Sequence, residues 1–190
     1  MKKYYDKYLI LINKDNKIPN NFNYDLISVF SDYKKEKIYI DKIVYLNYLL
    51  LKKNLEKKNI IIDIESGYRT HEYQDVLFNN LLKDKGREYA LKYSAEKYHS
   101  EHESGLAIDI CIFKNNKYYI EHDIGDMEEI KTIHKIIHKY GFILRYPKDK
   151  TDITKYNYEP WHLRYVGKFA KKIYEENLTL EEFHNLYLKK

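Results

Sequence analysis

SEHESGLAIDICIF, residues 100–113, places a histidine and an aspartate seven positions apart around a glycine. From Gly105 the run is apolar and rich in Ile. KNNK interrupts it at 114–117, and YYI then resumes the apolar character. That order reads as a β-hairpin. The segment alone does not say whether His102 and Asp109 hold a metal or merely flank a turn. A second stretch, YEPWHLRYVG at 158–167, makes the question answerable, because it supplies another histidine with an acid three residues before it.

Working outward, the run Tyr8 to Ile12 reads as a strand that ends in the turn-forming NKDNKIPNN. Asp41 is placed to cap a helix whose apolar positions Ile43, Leu46, Leu50 and Leu51 recur at helical spacing. NIIIDIES, 59–66, is a buried strand that stops at Gly67. A helix over about 71–84 ends near Gly86, and a shorter one follows around 87–95. Asp126 starts an amphipathic helix carrying Ile130, Ile133, Ile137 and Tyr140, closed by Gly141. FILRY and WHLRYV are the last strands, and Thr179 with Glu182 makes a capping box for a terminal helix. Helices, then hairpin-like strands, then a helix give an α+β fold with a largely antiparallel sheet. No repeat or linker divides residues 1–190, so they are expected to form a single domain.

The formal charge of +5 comes from positives spread along the chain, so no nucleic-acid partner is expected. Of 34 basic residues only four are arginine: Arg69, Arg87, Arg145 and Arg164. In so lysine-rich a chain, a retained guanidinium suggests a need for a planar fork of donors that lysine lacks. Cys111 is alone, which excludes an intramolecular disulfide and permits a reducing compartment. The apolar run YLILI at 8–12 is too brief for a signal sequence or a membrane span. The cytoplasm is therefore the expected location, with the cell envelope as the alternative if a leader has been removed.

A hydrolytic zinc site takes three protein ligands and keeps one position open. His102, Asp109 and His162 would supply two imidazoles and a carboxylate. His71, His99, His122, His134, His138 and His184 read as ordinary surface or satisfied polar residues. Pro160 lies between Glu159 and His162 and excludes a regular helix interior there. An extended approach into the strand would place the Glu159 carboxylate beside a metal, where it could serve as general base. The bland alternative is one exposed acid among many.

Together, S-x-H-x(6)-D and E-x-W-H resemble the zinc D-Ala-D-Ala peptidases of the vancomycin-resistance type, in the fold group that includes lysostaphin and the hedgehog signalling domain. SGYRTHEYQ at 66–74 matches their upstream motif, and LINKDNKIP, YGFILRYP and YEPWHLRYVG match the flanks. The similarity is greatest to the VanXY and VanY branches. The resemblance implies one zinc ion on His102, Asp109 and His162, with Glu159 as general base and Arg69, Gln74 and Ser100 as substrate contacts. The implied substrate is a small peptide ending in D-Ala, either a peptidoglycan precursor stem or D-Ala-D-Ala itself. Arg69 could grip the free C-terminal carboxylate bidentately or stabilise the oxyanion, and the sequence leaves both open. Ser100, two residues before His102, would point to the same side in an extended segment.

Arg145 and Arg164 are expected in structural pairs, Trp161 as a wall or core residue, and Cys111 as a small buried hydrophobe. Lys97-Tyr98 and Glu103-Ser104 replace the Pro-Gly and Gln-Thr usual in the family, so the loop shaping the entrance differs. An L,D-carboxypeptidase on tetrapeptide stems is the nearest rival. A cell-wall endopeptidase is disfavoured by Arg69, since an internal bond offers it no carboxylate. A non-catalytic zinc module would leave Glu159 and Arg69 without a role.

Overall fold

The computed structural model describes residues 7–189. Its strands are β1 (Leu26–Ser31), β2 (Glu36–Asp41), β3 (Ile61–Ser66), β4 (Ala107–Lys114), β5 (Lys117–Tyr119), β6 (Phe142–Leu144) and β7 (His162–Tyr165). Its helices are α1 (Lys42–Glu56), α2 (His71–Lys85), α3 (Arg87–Tyr93), α4 (Glu128–Ile136), α5 (Thr151–Thr154), α6 (Ala170–Glu175) and α7 (Leu180–Phe183). Strands β1 and β2 form a hairpin of their own. The main sheet runs β3-β4-β7-β6, with β5 also paired to β4. Every ladder among the described residues is antiparallel, as expected for this α+β fold. None of the described helices is long and apolar enough to cross a membrane.

Strand β4 is the centre of the sheet, and its two faces have different tasks. Ile108, Ile110 and Ile112 point one way and join Ile62, Ile64 and Leu163 in the main core. Against them pack Val44, Tyr48, Leu51 and Leu55 of α1 and Ile130 and Ile133 of α4. Asp109 and Cys111 alternate onto the other face, which is where the chemistry gathers. Asp109 sits opposite His162 in the β4–β7 ladder and opposite Ser66 across a bulge in β3. At the hairpin between β4 and β5, Asn115 and Asn116 both adopt positive φ, 53° and 59°, the left-handed pair of a type I′ turn.

Two caps read from the sequence hold. Asp41 accepts from the backbone N–H groups of Ile43 and Val44, and Thr179 with Glu182 completes a capping box. The buried face of α1 differs from the expected one, since Leu46 and Leu50 are exposed and Val44, Tyr48, Leu51 and Leu55 point inward. Tyr48 takes a core position that a leucine count passes over.

Residues 8–12 form no strand. Lys7–Leu9 is a single 3₁₀ turn, and the carbonyls of Tyr8 and Ile10 accept from the Arg164 guanidinium instead of a β ladder. Leu9 and Ile12 are nonetheless buried, so the apolar pattern was real and only the backbone partner was different. The β1–β2 hairpin was not anticipated, because LISVFS mixes polar and apolar residues without a clean run.

Candidate metal centre and substrate cavity

Residues 100–104 bring the first candidate ligand into place, and not as extended chain. Ser100 caps a 3₁₀ turn over Glu101–Ser104, with Glu103 reaching back to the Ser100 N–H in a capping box. The expected parity argument for Ser100 and His102 therefore fails, although both residues line the cavity. Glu103 is fully buried and also accepts from the Tyr98 N–H, while one of its oxygens lies 2.5 Å from Nδ1 of His71. The altered loop is thus braced from within. Tyr98 adopts φ 71° and its ring lies against His71. Gly105 then turns the chain into β4 with φ 73°, where a side chain would meet Leu26.

His102, Asp109 and His162 each offer a donor atom, and these atoms lie within 4.8 Å of one another. His102 Nε2 is 3.1 Å from Asp109 Oδ2, and His162 Nδ1 is 3.0 Å from Asp109 Oδ1. All three residues are buried. Each imidazole is held by its other nitrogen. His102 Nδ1 donates to the Gly67 carbonyl at 2.7 Å, and His162 Nε2 faces Glu101 Oε2 at 3.4 Å. Gly67 is required there: a Cβ would sit 2.5 Å from the Tyr39 carbonyl oxygen. With the outer nitrogens protonated, both lone pairs point inward at the Asp109 carboxylate.

The electrostatics suit a cation. Burial would raise the Asp109 carboxyl, but the His102 and His162 imidazoles hold it well below the usual carboxylate range. Burial, then the Arg69 charge, lowers His102 and keeps it a neutral donor. Burial opposes charge on His162 too, yet hydrogen bonds to Asp109 and Glu101 push it up to about 9. Two neutral-capable imidazoles and one carboxylate converging on a point form a donor set that fits zinc.

Glu159 reaches the site through a turn. Its carbonyl accepts from the His162 N–H at 3.2 Å, so Glu159-Pro160-Trp161-His162 is a tight turn with proline second, not the extended approach expected. This folds the carboxylate back until Oε2 lies 3.8 Å from His162 Nδ1. Burial, partly offset by His162, raises the Glu159 carboxyl to about 7. Trp161 packs into the core, with its ring edge-on to His122. Cys111 is buried and inert, its thiol pushed up by burial to about 12.

A cavity of about 420 Å³ opens beside this centre, lined among others by Arg69, Gln74, Ser100, Tyr146, Glu159 and His162. Arg69 is anchored by Ser66 Oγ, which accepts from both Nε and a terminal nitrogen, and by Gln74 Oε1 at 3.4 Å. Its other contact is Asp109 Oδ2, 3.1 Å away. Gln74 is buried and donates to the Ala95 carbonyl, so it steadies Arg69 while facing the cavity.

Glu101 and Glu65 were not singled out from the sequence. Glu101 is fully enclosed between Arg145 and Arg164, and the two scarce arginines were the signal that a buried carboxylate existed. Glu65 lines the same cavity with one oxygen buried and unpartnered, and burial lifts its carboxyl to about 7.

A three-donor cluster on a sheet face, open to a cavity on one side and with a carboxylate beside the opening, defines a mononuclear metallohydrolase. Comparison narrows that class. The chain belongs to the VanY family of D-alanyl-D-alanine carboxypeptidases, whose family model matches residues 37–168. It is 36% identical to the bifunctional D-Ala-D-Ala dipeptidase and carboxypeptidase VanXYC of Enterococcus gallinarum, over 93% of each chain. It is 39% identical to YodJ of Bacillus subtilis, covering 92% of this chain and 66% of YodJ. Among solved structures, LdcB LD-carboxypeptidase superposes with a TM-score of 0.85 at 39% identity, covering 94% of this chain and 86% of that one. VanYB in complex with D-alanine-D-alanine superposes with 0.82 at 32% identity, covering 96% and 99%.

Proposed function

We propose that residues 1–190 form one zinc-dependent D,D-peptidase domain. It removes terminal D-Ala from peptidoglycan precursor stems or splits D-Ala-D-Ala. The observation that carries this reading is the meeting of His102 Nε2, Asp109 and His162 Nδ1 at one point, with the Glu159 carboxylate beside them. The resemblance to VanXYC and VanYB supports the substrate class.

Bound by these donors, zinc would act as a Lewis acid that acidifies water and polarises the scissile carbonyl. Glu159 takes the proton of the attacking water and passes it to the leaving amine, which a carboxyl raised toward neutrality can do in both directions. Arg69, fixed by Ser66 and Gln74 next to Asp109, faces developing negative charge on the substrate, whether carboxylate or oxyanion. Ser100 and Gln74 add neutral polar contacts to the peptide. Burial of the centre strengthens each of these charge interactions.

The cytoplasm is the proposed location, where soluble precursors and the free dipeptide are the available substrates. Similarity to LdcB favours one rival, an L,D-carboxypeptidase acting on tetrapeptide stems. The deciding experiment incubates purified protein with D-Ala-D-Ala and with matched tetra- and pentapeptide stems. Products are weighed by mass spectrometry before chelation, after it and after zinc return. Release of D-Ala from the pentapeptide, lost on chelation and restored by zinc, is expected. Trimming of the tetrapeptide alone would overturn the D,D assignment.

A further inference from the structure

The Glu101 carboxylate divides its two oxygens between two tasks. Oε1 accepts from Arg145 Nε and from Arg164 NH1, each at 2.7 Å. Oε2 is left to face His162 Nε2 at 3.4 Å. All of this is inside the protein: the side chains of Glu101, Arg145 and Arg164 have no solvent exposure. Both arginines are themselves pinned. Arg145 makes a two-pronged contact with Glu181 on α7, and Arg164 donates to the carbonyls of Tyr8, Ile10 and Tyr165. Glu101 therefore cannot turn its second oxygen elsewhere without breaking its contacts to Arg145 and to β7.

A simple structural ion pair would need only one of the arginines. Arg145 also pairs with Glu181, so the charges balance, and the two guanidinium groups converging on Oε1 hold the Glu101 carboxylate in one orientation. We propose that Glu101 is a positioning residue for the metal centre. It accepts the Nε2 proton of His162 and so commits the Nδ1 lone pair to the point shared with His102 and Asp109. Gly67 does the same for His102 with a neutral carbonyl. The charged acceptor falls on the ligand whose ring lies between Asp109 and Tyr146. Fixing ring and tautomer through the outer nitrogen is the general way an outer acceptor tightens a histidine ligand, and its removal typically weakens metal binding ten- to a hundredfold.

The inference rests on the zinc reading above, and the test separates the two. Zinc dissociation constants are measured by competition with a chromophoric chelator. The His162 tautomer is read from imidazole ¹⁵N resonances. The proteins are wild type, Glu101→Gln and the charge-balanced double variant Glu101→Gln/Arg164→Met, with folding checked by circular dichroism. Glu181→Gln, which leaves both arginines on Glu101, is the control for mere loosening of the fold. Wild-type zinc binding with ten- to a hundredfold weaker binding in a folded Glu101 variant is expected, with mixed His162 tautomers and a Glu181→Gln affinity within about threefold of wild type. A folded Glu101 variant that binds zinc within about twofold of wild type and keeps the Nε2–H tautomer overturns the positioning role. So does failure of both Glu101 variants to fold while Glu181→Gln folds, because Glu101 would then be needed for the fold itself. Absence of zinc binding in the wild type would overturn the metal reading instead.

Discussion

Arg145→Met should cost this protein more stability than any surface substitution, and the structure sets the size of the loss. Arg145 is fully enclosed and makes three charged hydrogen bonds: 2.7 Å to Glu101, and 2.9 and 2.6 Å to Glu181. Glu101 retains Arg164 when the guanidinium is removed. Among the described residues, Glu181 retains only the Asn13 amide of its hydrogen bonds to side chains, so one nearly buried carboxylate loses its counter-charge. Removing one partner of a buried pair costs about 3–5 kcal/mol. In a chain of this length each kcal/mol moves Tm by about 2–4 °C, so a fall of roughly 6–20 °C is expected. Thermal unfolding followed by circular dichroism at fixed zinc concentration measures it, since bound metal also shifts Tm. The companion variant Arg145→Met/Glu181→Gln removes the stranded charge and should recover a large part of the loss. A single variant melting within 2 °C of wild type, or a double variant no more stable than the single, would refute the reasoning.

Glu159→Gln preserves shape while removing the base, and it should lower kcat by about 10²–10⁴ with zinc content unchanged. Turnover within tenfold of wild type in a zinc-loaded variant would remove Glu159 from the mechanism. Acid should also destabilise the fold through Glu181. Burial alone would raise that carboxyl, but Arg145 holds it below its ordinary value. A lowered folded-state value contributes stability that is present above the unfolded carboxylate range, about 4.3, and is lost as pH falls through and below it. Wild type should therefore lose Tm between about pH 5 and 3 more steeply than Glu181→Gln, and parallel curves would contradict the assignment.

Local signals carried much of this molecule. An apolar, Ile-rich run placed β4, the KNNK break placed its hairpin, and Asp41 and Thr179 marked helix starts by side-chain chemistry that acts within three residues. The three candidate ligands, too, followed from motif spacing and resemblance, and His102, Asp109 and His162 do meet. Signals failed where the partner lay far along the chain. Residues 8–12 have a strand-like pattern, yet their carbonyls are taken by Arg164, more than 150 residues away. The Pro160 turn, which aims Glu159, was read as extended chain because proline suits both.

What the sequence alone determined was therefore composition, caps, the hairpin at KNNK and the identity of the chemical groups, all properties of neighbours along the backbone. Only the tertiary structure decided their orientation. It showed that Asp109 faces His162 across a ladder, that Glu101 is wedged between two arginines, and that Gly67 closes the far side of His102. Such relations depend on the packing of distant segments in a medium without water, where each buried charge must find its partner wherever the fold brings one.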